Sequence, residues 1–303
     1  MKNLNDYPLW TAIVTPFNEN GEIDFASYDN LLQEQNEADN GIVVLGSTGE
    51  ALNMTLSEKK SLLEHTLQQK DNLEIPIMVG VGGADLVATK EWVTYLNSQN
   101  IDALLIVTPL YAKPETQGQY EWFKSLLDLS NFPVMLYNVP GRTGKAMSVD
   151  ALRRLAAHPK LWALKEASGS VEEFQKYRAA APKCRVYSGD DALMPTFAQY
   201  GCVGLVSVAA NAWPAATHLY VKKALAEEPT EKLIKEEISL WDACASALFC
   251  VSNPIPVKRL LAEEKKISTP TLKLPLSHKD LAQAATVLEA SLRINNWFNE
   301  SKK

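Results

Sequence analysis

Leu161-Trp-Ala-Leu-Lys165-Glu-Ala-Ser168 is a short apolar run that ends on a charged residue. A strand buried on both faces is near-continuously hydrophobic, and Leu161 to Leu164 has that character. Small residues follow, then a helical pattern from about Ser170, so the stretch is one strand-to-helix unit with a lysine at the junction. A lysine held against apolar neighbours is hard to keep protonated, and its pKa falls. A neutral amine can attack a ketone carbon and form a Schiff base. Capping the strand, or pairing with Glu166, is the commoner role of a lysine. What lies at the other strand ends decides between these readings.

The same unit recurs along the chain. Strand-like runs fall at residues 9–15, 42–46, 77–80, 103–108, 134–138, 161–165, 185–189 and 203–207. Helical patterns fall between and after them, at 28–36, 56–69, 84–98, 117–129, 149–157, 171–180, 192–200 and 215–226. Capping signals mark several helix starts: Thr55 and Ser57, Ser148-Val-Asp-Ala151, and Ser170-Val-Glu-Glu173. Eight such units in order predict an α/β fold, a (β/α)8 TIM barrel. An open doubly wound sheet would carry GxGxxG after its first strand, and the nearest match, Gly80-Val-Gly-Gly83, lacks the third glycine. Beyond Pro229 the strands stop. Residues 231–250, 256–264 and 280–298 read as helices, separated by Ser252-Asn-Pro-Ile-Pro256 and by the Ser/Thr/Pro-containing stretch 267–277. The expected organisation is a catalytic barrel over residues 1–228 and a C-terminal helical domain over 229–303.

Composition narrows the function classes. The 303 residues are 46% hydrophobic and 22% charged, with a net charge of −6, which argues against a nucleic-acid partner. The longest apolar runs, near 101–107 and 203–210, are too short to span a bilayer. The start of the chain lacks the apolar core of a signal peptide, so a cytoplasmic location without membrane contact is expected. Cys184, Cys202, Cys244 and Cys250 show no CxxC spacing and read as reduced, mostly buried thiols. His65, His158, His218 and His278 form no HxH or HxxxH pair, so no metal site is expected. No GxSxG or Cys/His arrangement supports a triad nucleophile, and nothing calls for a cofactor.

Chemistry in such barrels gathers at the carboxyl ends of the strands. Read in order, those ends carry Thr15-Pro16, Gly46-Ser-Thr-Gly-Glu50, Gly80 to Gly83, Thr108-Pro109, Tyr137-Asn138, Lys165, Ser188-Gly-Asp-Asp191 and Ser207. One lysine, one tyrosine and several hydroxyls suit imine chemistry with protons carried on oxygen. Gly46-Ser47-Thr48-Gly49 is either a capped tight turn or a cradle whose N–H groups accept a small carboxylate. Tyr137 is either a rim residue or the general acid/base, with a neighbour such as Thr48 passing protons. Arg142, in Val139-Pro-Gly-Arg-Thr-Gly144, is either a surface arginine or the fork for a second carboxylate. The two aspartates after strand seven argue against a phosphorylated substrate there and could meet an amine or hydroxyls.

Together these residues resemble the pyruvate-dependent class I aldolases, the superfamily that includes dihydrodipicolinate synthase and N-acetylneuraminate lyase. Tyr137 to Gly144, Ser188 to Asp191 and Ser252-Asn-Pro-Ile-Pro-Val-Lys258 resemble the synthase branch, over almost the whole chain. The resemblance implies condensation of pyruvate with L-aspartate 4-semialdehyde through a lysine Schiff base. The product would be 4-hydroxy-tetrahydrodipicolinate, on the lysine and diaminopimelate route. It implies that Lys165 forms the imine, that Tyr137, Thr48 and Tyr111 form a hydroxyl relay, and that Arg142 holds the semialdehyde carboxylate. Ser47, Thr48, Gly189 and Val206 would bind substrate; Ser47 stands where the synthases usually carry threonine, and keeps the hydroxyl. Tyr111 would reach a neighbouring site across a dimer interface, so a homo-oligomer is implied, a dimer or a dimer of dimers. Lysine-sensitive synthases resemble one another in an interface pocket, whose positions here fall on Leu110, Leu56, Lys59, Ala84 and Ala88, so weak or absent inhibition by free lysine is expected. The alternatives are a related cleaving aldolase, such as N-acetylneuraminate lyase, and a non-catalytic binding barrel.

Overall fold

The computed structural model describes residues 2–302. The apolar runs become β1 (Leu9–Ala12), β2 (Gly41–Val44), β3 (Ile77–Val81), β4 (Ala103–Val107), β5 (Val134–Asn138), β6 (Leu161–Glu166), β7 (Arg185–Ser188) and β8 (Leu205–Ser207). Each strand pairs in parallel with the next and β8 returns to β1, so the sheet closes without an exposed edge. Around the barrel run α1 (Phe25–Glu37), α2 (Leu56–Gln68), α3 (Leu86–Leu96), α4 (Thr116–Leu129), α5 (Pro140–Thr143), α6 (Val149–Leu155), α7 (Val171–Ala180), α8 (Met194–Ala198) and α9 (Pro214–Leu225). Then come α10 (Lys235–Ala247), α11 (Ile255–Glu263) and α12 (Ala285–Glu300). The expected TIM barrel followed by helices is the observed fold.

Local chemistry sets the boundaries. Thr55 and Glu58 form a reciprocal capping box at α2, and the hydroxyls of Ser148 and Ser170 accept the N–H groups of Ala151 and Glu173 to start α6 and α7. The stretch Val139 to Gly144, expected as loop, makes one helical turn. Pro140 opens it with a preset φ, and Gly144 closes it at φ 71° with its N–H on the Pro140 carbonyl at 2.9 Å. α10 and α12 begin later than the periodicity suggests. Short 3-10 turns at Pro229–Glu231 and His278–Asp280, each followed by a few irregular residues, precede them.

Side-chain alternation divides two cores. Met135 and Tyr137 of β5, Ala163 of β6, Tyr187 of β7 and Val206 of β8 pack inside the barrel, while Leu136 and Leu164 pack under the helices. The outer core continues into the last helices: Trp241 of α10 stacks on Tyr220 of α9 at 4.1 Å and meets Trp213 and Trp297 edge-on. A buried tryptophan of this kind is worth roughly 3–5 kcal/mol against alanine. Inside, Trp10 and Trp162 cross edge-on at 5.9 Å, filling the barrel near the strand starts and leaving the carboxyl ends for a cavity. No helix among the described residues is long and apolar enough to cross a membrane. The four cysteines are unpaired, and Cys250 is exposed rather than buried.

Candidate active site

Strand parity points Lys165 into the barrel and Glu166 out of it. Glu166 accepts Asn138 Nδ2 at 2.6 Å and the Ser168 N–H at 2.7 Å, so it is not the partner of Lys165. Register sets Tyr137 beside Lys165, and the ammonium nitrogen lies 4.3 Å from the centre of that ring. Two lysines are buried among the described residues. Lys258 bonds Glu50 and the Thr15 carbonyl, both at 2.8 Å, whereas Lys165 makes no hydrogen bond or salt bridge among the described residues. Burial holds the Lys165 amine down at about 7 against an ordinary 10.5, with Asp191 pulling it up and Arg142 pushing it further down.

Gly189 makes room for this lysine. A Cβ there would stand 2.8 Å from Lys165 Cε and 2.7 Å from the Ala167 methyl. Asp191, after β7, is buried and pushed up to about 6; it accepts the Ser207 hydroxyl and the N–H groups of Val208 and Ala209. Asp190 instead caps the following turn through the N–H of Ala192 at 3.0 Å.

A cavity of about 1390 Å³ opens from the carboxyl ends of the strands. Lys165, Tyr137, Ser47, Arg142 and Tyr111 all line it; Thr48 is buried next to Ser47, Gly189 abuts Lys165, and Val206 sits in the inner core. Burial raises the Tyr137 phenol, opposed by the charge of Arg142 and by the nearby Ser47 hydroxyl. The hydroxyl beside Tyr137 is therefore that of Ser47. Thr48, expected in the relay, turns instead to Asn253, whose Nδ2 donates to Thr48 Oγ1 at 2.9 Å. The N–H groups of Ser47, Thr48 and Gly49 have no acceptor within the protein among the described residues, which leaves a cradle for a carboxylate. Arg142 is exposed at the mouth and donates one N–H to the Asn253 carbonyl at 3.0 Å, leaving the rest of its fork open.

The helical region braces this mouth. Glu50, in the left-handed region at φ 58°, receives Lys258 from α11 and the Lys273 N–H at 2.7 Å. Asn253 and Lys258 were visible only as parts of a motif; their partners lie 205 and 208 residues away, beyond any periodic signal. Tyr111 is 92% exposed with φ 64°, a strained geometry for a tyrosine that makes no contribution to the core of its own chain. Leu52, Leu56 and Val87 are exposed as well, and Leu52, Leu56, Lys59, Ala84, Ala88 and Leu110 line the outer part of the cavity.

Fold and site together define an amine-bearing (β/α)8 barrel, of the kind that captures a carbonyl carbon on a lysine. Residues 7–293 match the model of the dihydrodipicolinate synthetase family. The chain is 43% identical over 291 residues to the 4-hydroxy-tetrahydrodipicolinate synthase of Francisella tularensis subsp. novicida, covering 96% of this chain and 97% of that one. It superposes on the corresponding synthase of Methylacidiphilum fumariolicum with a TM-score of 0.91, at 29% identity and 98% coverage of both chains. With the Acinetobacter baumannii dihydrodipicolinate synthase complexed with pyruvate the TM-score is 0.88, at 32% identity, covering 95% of this chain and 99% of that one. The chain belongs to the dihydrodipicolinate synthetase family. These matches favour the condensing branch over the cleaving aldolases.

Proposed function

We propose that this chain condenses pyruvate with L-aspartate 4-semialdehyde to 4-hydroxy-tetrahydrodipicolinate, in the cytoplasm, as a step towards diaminopimelate and lysine. The observation that carries the residue assignment is Lys165, a buried amine held at about 7, without a hydrogen-bond partner among the described residues and facing a phenol across an open cavity. Its neutral nitrogen attacks the ketone carbon of pyruvate, and loss of water leaves the imine. A proton then leaves the methyl carbon to give the enamine, which attacks the aldehyde carbon of the second substrate. The amine of that substrate displaces Lys165 from the imine carbon and closes the ring.

Tyr137 moves protons in these steps, with Ser47 as its neighbouring hydroxyl and Tyr111 of the partner subunit completing the relay. This reading makes the active unit a homo-oligomer, at least a dimer, and accounts for a tyrosine exposed and strained in the single chain. Thr48 and the cradle N–H groups take the pyruvate carboxylate, Gly189 and Val206 shape the wall behind it, and Arg142 takes the carboxylate of the semialdehyde. Residues 1–228 are the catalytic barrel on this reading, and residues 229–303 a helical domain that braces its mouth. Borohydride reduction in the presence of pyruvate tests the assignment. Peptide mapping should place one adduct on Lys165, and an adduct on Lys59, Lys113 or Lys145 refutes it.

A further inference from the structure

Asn253, in the turn between α10 and α11, touches both groups to which the proposed function gives a substrate carboxylate. Its side-chain Nδ2 donates to Thr48 Oγ1 at 2.9 Å, and its main-chain carbonyl accepts Arg142 Nη2 at 3.0 Å. It is only 6% exposed, and its side-chain oxygen is buried with no hydrogen-bond partner among the described residues. A buried amide with an orphaned oxygen is costly, so local stability does not account for it. Turning the amide over would orphan the NH2 group instead and gain nothing.

The donor sense of this contact has a consequence for Thr48. A hydroxyl carries one hydrogen and two lone pairs. With the Asn253 amide on a lone pair, the Thr48 hydrogen is left for another acceptor. An acceptor at position 253 would take that hydrogen and present a lone pair to an incoming anion. We propose that Asn253 is a positioning residue shared by the two substrate sites. Its amide sets Thr48 as a donor to the pyruvate carboxylate, and its main-chain carbonyl aims Arg142 at the carboxylate of the second substrate. The proposal rests on the reading of Lys165 as the pyruvate site.

Side-chain substitution removes the amide and keeps the carbonyl, so the two roles separate. In Asn253→Ala, the pyruvate concentration that half-saturates borohydride trapping on Lys165 should rise on the order of 10-fold, the scale of one hydrogen bond to a charged group. The KM for aspartate semialdehyde should stay within about 2-fold, because the contact to Arg142 remains. Asn253→Asp has nearly the same shape but takes the Thr48 hydrogen and places a negative charge near the carboxylate. Its pyruvate requirement should rise further than that of alanine, by on the order of 100-fold. In a Thr48→Val background Asn253→Ala should add less than about 2-fold, since the contact through which it acts is gone. The aspartate and Thr48→Val arms keep the test decisive if alanine lowers the unfolding temperature. An aspartate no worse than alanine, or effects of Asn253→Ala and Thr48→Val that simply multiply, overturns the proposal. Absence of a pyruvate-dependent Lys165 adduct in the wild-type chain removes the underlying site reading and this proposal with it. A normal wild-type adduct with unchanged Asn253 variants refutes the proposal alone.

Discussion

Lowering the Lys165 amine from 10.5 to about 7 sets how much nucleophile the enzyme has. At pH 7.5 a lysine titrating at 10.5 is neutral in about one molecule in a thousand, and one titrating near 7 in about three-quarters. The reactive fraction is therefore raised on the order of 700-fold by placement alone. Trapping rates at subsaturating pyruvate should climb about tenfold per pH unit below about 6.5 and level off above about 8. Arg142→Leu removes a charge that lowers the amine, so the midpoint should move up; Asp191→Asn removes one that raises it, so the midpoint should move down. The same lowering is a stability effect. Between about 7 and 10.5 the unfolded chain holds the proton more tightly, so stability rises with pH through that window. The full cost stands below about 7 and vanishes above 10.5, with a ceiling of about 5 kcal/mol. Lys165→Met should therefore unfold at a higher temperature than the wild type at pH 7, with the gap closing towards pH 10. A wild-type trapping rate that climbs steadily through pH 9, or midpoint movements of the opposite sign, refutes the reasoning.

Four further outcomes follow from the geometry. Tyr137→Phe should lower kcat by roughly two to four orders of magnitude with little change in unfolding temperature, since the buried ring stays and only the hydroxyl goes; a variant with most of its activity makes Tyr137 a rim residue. Gly189→Ala should abolish pyruvate trapping in a folded protein, because its methyl would stand 2.8 Å from Lys165 Cε, and normal trapping would mean that the lysine moves aside freely. Mixing inactive Tyr111→Phe and Lys165→Ala subunits should restore some activity through hybrid sites, and no recovery from a demonstrated mixed oligomer places Tyr111 within its own chain. Free lysine at millimolar levels should leave the rate nearly unchanged. Leu56, Ala84, Ala88 and Leu110 offer no side-chain acceptor, Asp85 is committed to capping α3, and burial already disfavours the charge on Lys59 beside them; saturable inhibition below that range would show that other residues build the pocket.

What was legible in the sequence is what period and parity encode. Each barrel strand is a short apolar run because both faces are covered, so Leu161 to Leu164 announces β6 without help from the rest of the chain. Parity then aims Lys165 inward, and the neighbouring strand brings Tyr137 level with it. These two residues belong to regular backbone, and regular backbone can be read from spacing. Ser47 and Thr48 do not. They sit in an irregular turn after β2, where adjacent residues have no fixed angular relation, so the choice of which hydroxyl meets Tyr137 is made by packing. The packing in question comes from far along the chain: Gly80 has no side chain because the Leu45 carbonyl lies 2.1 Å from where its Cβ would be, and Asn253 donates to Thr48. Glu50 and Lys258 follow the same logic, a charged pair closed to water that holds the cradle against α11. Breaking one partner of such a pair strands the other, at roughly 3–5 kcal/mol. The lysine that does the chemistry is thus readable from its own strand. The hydroxyls and the guanidinium around it are aimed by residues that only the closed barrel and its last helices bring within reach.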